Sequence, residues 1–174
     1  MKHTPMPELN YLKSILDYNP DTGEFTWKVD RGGLAKAGNI AGSLVLDKRD
    51  FNSKYYYIMA DRKMYKLHRL AYFYVTGTDP GDMQIDHING NTLDNRFENL
   101  RLATNAQNSK NYKKPITNKS GFKGVSWCKQ NKKWYAQIKV NNKKIYLGRY
   151  NSKLYAALVY ARAAKKYFGE WRRV

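Results

Sequence analysis

Residues 83–112, MQIDHINGNTLDNRFENLRLATNAQNSKNY, restrict the possible folds of this chain more than any other stretch. MQIDHI (83–88) reads as a strand, NGNTLDN is turn chemistry, and ENLRLA (98–103) reads as a second short strand. A helix follows from Thr104, with Gln107 three residues on to complete a capping box. Strand, loop, strand and helix in about thirty residues form a compact unit. Asn108 falls near the first turn of that helix, where it could point back at the strand carrying Asp86 and His87. Together the three offer an oxygen ligand, a nitrogen base and a second oxygen ligand.

Spacing tests the rival readings of these residues. An EF-hand calcium loop needs Gly sixth and Glu twelfth; setting Gly90 sixth puts Ile85 first and Arg96 twelfth, so the pattern fails. Structural zinc needs four Cys or His ligands, and the only candidates are His3, His68, His87 and Cys128, scattered along the chain. A hairpin loop rich in Asx turns would account for Asn89, Gly90, Asn91, Asp94 and Asn95, but not for Asp86–His87 on an apolar strand. Adjacent strand residues face opposite ways, so both serve one site only at a twisted strand end. On spacing alone, a functional site and a polar hairpin loop stand as equal readings.

Charge narrows the partners. The formal net charge is +18, which points to a polyanion, and nucleic acid is the commonest one inside cells. Residues 1–115 carry 17 Lys/Arg against 13 Asp/Glu, while residues 116–174 carry 15 against the single acid Glu170, so the balance is +4 and +14. A disordered basic tail is poor in aromatics. This one holds Trp127, Trp134, Tyr135, Tyr146, Tyr150, Tyr155, Tyr160 and Tyr167, and is expected to fold with one basic face. KKPITNKSG, at 113–121, carries Pro115 and separates two patterned regions, giving a linker at 114–120 between a domain at 1–113 and another at 121–174. One cysteine suits a reducing compartment, and no apolar run reaches signal-peptide or membrane-span length, so an intracellular location is expected.

Elsewhere in the first half, ILDYNPDTGEFTWKV reads as a helix end, a turn and a strand. KYYYIMADRKMYKLHRL reads as a hairpin turning near Asp61–Arg62 that runs into a helix over about 66–76.

The run IDHINGNTLDNRFENLRLATNAQNSKN closely resembles the HNH motif of phage and intron-encoded homing endonucleases: Asp-His, a Gly-Asn turn, Asn-Leu-Arg and a final ligand on the helix. The resemblance implies His87 as general base, Asp86 and Asn108 as ligands of a divalent cation (Mg²⁺, with Mn²⁺ as alternative), and Asn99 as the brace of the loop. The motif's last letter, His, is Asn108 here. The upstream LHRLAYFYVTG also resembles the segment that precedes this motif; His68 within it reads as packed or on the helix surface before it reads as a phosphate contact.

The second half, from GFKGVSW to AAKKYFG, resembles the plant ethylene-response-factor (APETALA-type) DNA-binding domain. Read from its residues, three alternating strands place Trp134, Ala136, Ile138, Ile145 and Leu147 on one side. Lys133, Tyr135, Gln137, Lys139, Lys144 and Tyr146 lie on the other. Ser152 or Asn151 caps a helix with a stripe of Ala157, Ala161, Ala164 and Phe168, and Gly169 stops it. The resemblance implies DNA contacts from Lys123, Ser126, Gln137, Lys139, Lys144 and Tyr146. Several arginines of that family are Lys or Ser here and a contact Trp is Tyr146, so weaker base readout is expected, because Lys acts more as a point charge than Arg.

The expected fold class is α+β: a ββα-metal HNH module with a β-rich N-terminal extension, then a small three-stranded antiparallel sheet plus helix. The expected function is metal-dependent cleavage of double-stranded DNA by a chain acting as a monomer on DNA, a dimer being left open, in a phage-infected host cell. The alternative is a non-catalytic DNA-binding regulator that keeps only the fold.

Overall fold

The computed structural model describes residues 4–46, 53–111 and 118–171, with the side chains of 110 and 111 left aside. The chain divides into two compact units, Met1–Asn108 and Ser109–Val174. It is a mixed α+β protein of small antiparallel sheets and few helices. Residues 114–117 of the expected linker, the last residue of the 83–112 motif and residues 172–174 lie outside the described residues. Asn118 Nδ2 donates to Phe122 O (2.8 Å), and Ser120, buried, donates from Oγ to Asn118 Oδ1 (2.7 Å), which folds this stretch into the second unit.

In the first unit, α1 (Leu9–Ile15) leads into an antiparallel hairpin of β1 (Leu16–Asn19) and β2 (Glu24–Trp27), which β3 (Ile40–Ala41) extends. The sequence reading of LDYN as a helix end is corrected here. Leu16 and Tyr18 are buried and Asp17 and Asn19 exposed, the two-residue alternation of a strand, and Leu16 pairs with Trp27. Asn19 closes the turn by accepting Asp21 N–H (2.9 Å) on its side chain and Gly23 N–H (2.8 Å) on its carbonyl. A second sheet runs β4 (Ser43–Leu46), β5 (Lys54–Ala60), β6 (Lys63–Lys66). Asp61 and Arg62 both take left-handed φ (48° and 57°), as a two-residue hairpin requires. β6 passes directly into α2 (Leu67–Thr76), which Gly77 ends in the left-handed region by donating to Phe73 O (2.8 Å). Leu12, Leu16, Phe25, Ile58 and Leu70 are fully buried, so α1, the first hairpin, β5 and α2 share one core.

That core carries the segment of interest. β7 (Gln84–His87) pairs antiparallel with β8 (Leu100–Ala103), and α3 (Asn105–Asn111) follows. Ile85 and Leu100 plug the ribbon into the core. Arg69 of α2 ties down the approach to β7 by donating to Met83 O and Gly81 O, each at 2.7 Å. The capping box is present: Thr104 Oγ1 accepts from Gln107 N–H (3.2 Å), and Gln107 Oε1 accepts from Thr104 N–H (2.8 Å).

The second unit is an antiparallel meander of β9 (Val125–Cys128), β10 (Lys133–Val140) and β11 (Lys143–Tyr150), covered by α4 (Lys153–Phe168). Ser152 caps α4 by accepting Tyr155 N–H (3.2 Å). The helix stripe differs from the expected one. Ala156, Tyr160 and Ala164 are buried, with Ala157 and Phe168 at their margin, and Ala161 lies outside this contact. The 156/160/164 spacing presents one face, and the ring of Tyr160 fills space that alanines could not. Among the described residues, no helix is long and apolar enough to cross a membrane.

Candidate active site

Asp86 and His87 are the last two residues of β7, and both are buried. Their side chains have different neighbours, as opposite sides of a strand require. Asp86 lies across the ribbon from Arg101, whose Nε and Nη2 both donate to Asp86 Oδ2 (2.9 and 2.8 Å). His87 turns toward α2 and the loop between the strands. Its Nε2 lies 3.2 Å from Asn95 Oδ1, and its ring meets that of His68 edge to face with centroids 4.9 Å apart. Tyr55 of β5 completes the aromatic group, 5.4 Å from His68 and 6.5 Å from His87, with Lys66 Nζ 3.8 Å above its ring.

The loop between β7 and β8 is organised around Asn99. Its Oδ1 accepts Asn89 N–H (2.9 Å), and its Nδ2 donates to Asn89 Oδ1 (3.1 Å) and Asp94 O (2.8 Å). Asp94 is held by Arg96 Nε and Nη2, both at 2.9 Å, and by Asn89 Nδ2 at 2.7 Å. The Arg96 hydrogen bonds, more than any other cause, bring the Asp94 carboxyl down to about 2. Asn108 lies in the first turn of α3, half-buried, its N–H donating to Thr104 O (2.9 Å). Among the described residues, its side chain has no hydrogen bond to Asp86 or His87.

Burial sets the protonation of the histidines. It holds His87 below its ordinary value of 6.5, against opposing pulls from the Asn95 hydrogen bond and the Asp86 and Asp94 charges. Fully enclosed His68 is pushed well below 6.5, first by burial and then by His87, Lys66 and Arg69. At neutral pH His87 is therefore an imidazole with one basic nitrogen, suited to taking a proton. Among the described residues, no three His, Cys, Asp or Glu side chains come together as a metal site. Asp86 carries a carboxylate and Asn108 an amide oxygen, donors of the kind a hard cation takes.

On the second unit, the exposed sheet face pairs Tyr135 with Ser126 and Arg149, Gln137 with Tyr146, and Lys139 with Lys144. Lys123, half-buried, lies on the loop before β9. Sequence reasoning missed Arg149, whose guanidinium carbon sits 5.9 Å from the Tyr146 ring centre. It also missed Asn95, Arg101, Tyr55 and Lys66 around His87 and Asp86. Only Arg101 carried a readable signal, since counting back from Ala103 opposite Gln84 sets it across from Asp86.

An Asp-His strand end, an asparagine-braced loop, a return strand and a capped helix define a nuclease-type site of the HNH class. A family model described as HNH endonuclease matches residues 65–110, which takes in His68, β7, β8 and most of α3. A protein of Acanthamoeba polyphaga mimivirus described as an uncharacterized HNH endonuclease is 33% identical over 135 residues, covering 72% of this chain and 70% of that protein. Protein 3.8 of Escherichia phage T7 is 43% identical over 67 residues, 38% of this chain and 55% of that protein, so the chain spans about half the length of this relative. No solved structure matches the chain. The chain belongs to the HNH endonuclease family.

Proposed function

We propose that this chain is a metal-dependent, homing-type DNA endonuclease in which the first unit cuts and the second holds duplex DNA. The observation that carries the reading is His87: buried, kept neutral, hydrogen-bonded through Nε2, and adjacent to the carboxylate of Asp86. Hydrolysis of a phosphodiester needs a water whose proton is removed as its oxygen attacks phosphorus, while the 3′ oxygen departs. His87 accepts that proton. Asp86 and Asn108 would hold the cation, Mg²⁺ or Mn²⁺, which would supply positive charge to the phosphate and the leaving oxygen. Asn99 keeps the loop closed so that the imidazole stays in place. Arg101 holds the Asp86 carboxylate in place.

The anchoring role rests on charge and on the composition of the sheet face. Lys139, Lys144 and Arg149 supply cations, Gln137, Ser126 and Tyr146 supply hydrogen-bonding groups, and Lys123 adds a charge beside them. Such a surface suits phosphate contact with limited base readout. The test is incubation of the whole chain with supercoiled plasmid and Mg²⁺ or Mn²⁺, following nicked and linear products. Wild type should cut and stop in excess chelator. His87→Ala should lose a factor of ~10² to 10⁴ in rate while binding DNA nearly as well. Cleavage by His87→Ala at the wild-type rate would overturn the assignment.

A further inference from the structure

We infer that Asn95 is a positioning residue for the reaction, fixing which nitrogen of His87 carries the proton and strengthening its hold as the imidazole becomes charged. The inference rests on the reading of His87 as the general base. Its starting point is an amide that cannot turn. Asn95 is 3% exposed, and its Nδ2 donates to Leu93 O (3.2 Å), which sets its Oδ1 toward His87 Nε2. An amide oxygen only accepts, so the ring must present N–H at Nε2. The lone pair then belongs to Nδ1, and Nδ1 is the atom that takes the proton from water.

The N-terminal hairpin holds Asn95 from behind. Tyr18, buried on β1, donates its hydroxyl to Asn95 O (2.7 Å). Burial, its largest influence, pushes that phenol up to about 12, so the donor persists across the working pH range. Gly23 of the β1–β2 turn, at φ +75°, packs so closely that a Cβ there would collide with Arg96 N and the Asn95 carbonyl carbon. On the other side Asn99 grips Asp94 O (2.8 Å). The residue is thus pinned through its backbone on both flanks, and its side-chain oxygen is left to face the histidine.

This arrangement gives Asn95 a share in catalysis through His87. In the resting chain the Nε2–H to Oδ1 contact joins two neutral groups. Once Nδ1 has taken the proton, the same contact joins a cation to an oxygen, and charge-assisted bonds are roughly twice as strong as neutral ones. The gain appears only as the proton moves, so it should act on kcat and leave KM almost unchanged.

The test uses the full chain, selectively ¹⁵N-labelled at histidine, with His68 and His87 variants assigning the signals. Above the histidine titration range, wild-type His87 should show the Nε2–H tautomer, and Asn95→Ala should lose that preference. On plasmid, Asn95→Ala should lower kcat about 10- to 100-fold with KM within about twofold. Asn95→Asp keeps an acceptor toward Nε2 but sets its second oxygen against Leu93 O, so it should recover kcat only in part, above Asn95→Ala. An Nδ1–H tautomer in wild type overturns the inference. So does an inactive His87→Ala alongside a folded Asn95→Ala with unchanged kcat. If Asn95→Ala does not fold, Asn95→Asp and the wild-type tautomer decide. Full activity in His87→Ala would instead overturn the general-base reading, and the tautomer measurement would then judge the Asn95 contact alone.

Discussion

Replacing Asn99 by alanine should separate the brace of the loop from the chemistry beside it. The side chain is buried and makes three hydrogen bonds: from Asn89 N–H at 2.9 Å, to Asn89 Oδ1 at 3.1 Å and to Asp94 O at 2.8 Å. Each is worth about 1 kcal/mol net, and Asn89 is exposed enough for water to replace part of what is lost, so the cost should be about 2–4 kcal/mol. For a unit of 108 residues, unfolding entropy of about 2.1 cal/mol/K per residue makes 3 kcal/mol equal to about 13 °C of melting temperature. Calorimetry of the whole chain should show that drop in the first unit's transition. Hydrogen exchange should place the lost protection at β7 and β8. Asn99→Asp is nearly isosteric, yet it sets a carboxylate oxygen against Asp94 O and Asn89 Oδ1, so it should be no better than alanine. A loss under about 1 kcal/mol for Asn99→Ala would refute the reasoning, since Asp94, Arg96 and Asn89 would then hold the loop by themselves.

Three further outcomes follow from other parts of the molecule. Gly124→Ala should unfold or strongly destabilise the second unit, because φ is +68° and the new Cβ would run into the Tyr160 ring and Gln137 O; a wild-type melting transition for that unit would count against this packing. Both buried histidines titrate below 6.5 in the folded chain, so between that value and their folded values the unfolded chain binds more protons. Stability of the first unit should therefore fall as pH drops from 7 toward about 5, and His68→Asn should flatten the slope; a melting temperature constant over that range would contradict it. Replacing Lys139, Lys144 and Arg149 by Gln should reduce the log–log salt slope of DNA binding by about 2.7 if each meets one phosphate, as measured by fluorescence anisotropy at several salt concentrations, and an unchanged slope would remove the sheet face from the interface.

The strands and helix of the 83–112 run were readable because each carries its own local signal: an alternating strand, an Asx-rich turn, and a Thr104–Gln107 box whose reciprocal bonds form as expected. The helix after Lys66 and the turn at Asp61–Arg62 were readable for the same reason. What escaped depended on tertiary context. LDYN has too few residues to show its period, and only pairing with Glu24–Trp27 makes it a strand. Asn95 is one of five Asn or Asp residues of one loop, all suited to turns, and nothing local distinguishes the one that faces a histidine. Arg149 escaped because simple alternation from Tyr146 sends it inward. A bulge between Ala136 and Gln137 resets the parity, so that Tyr146 faces Gln137 while Arg149 faces Tyr135 on the same side.

A short two-stranded ribbon cannot bury Asp86, His87 and Asn99 unless every polar atom finds a partner. Among the described residues, no buried side-chain nitrogen or oxygen lacks one. The partners divide by kind. Asn95 beside His87 and the loop groups around Asn99 are neutral amides and carbonyls fixed by neighbouring backbone, which hold geometry without adding charge. Asp86 is paired with a guanidinium, which compensates a buried charge that otherwise costs several kcal/mol. Losing Arg101 would expose part of that cost, whereas losing the Asn95 amide would take a neutral partner from a buried ring nitrogen.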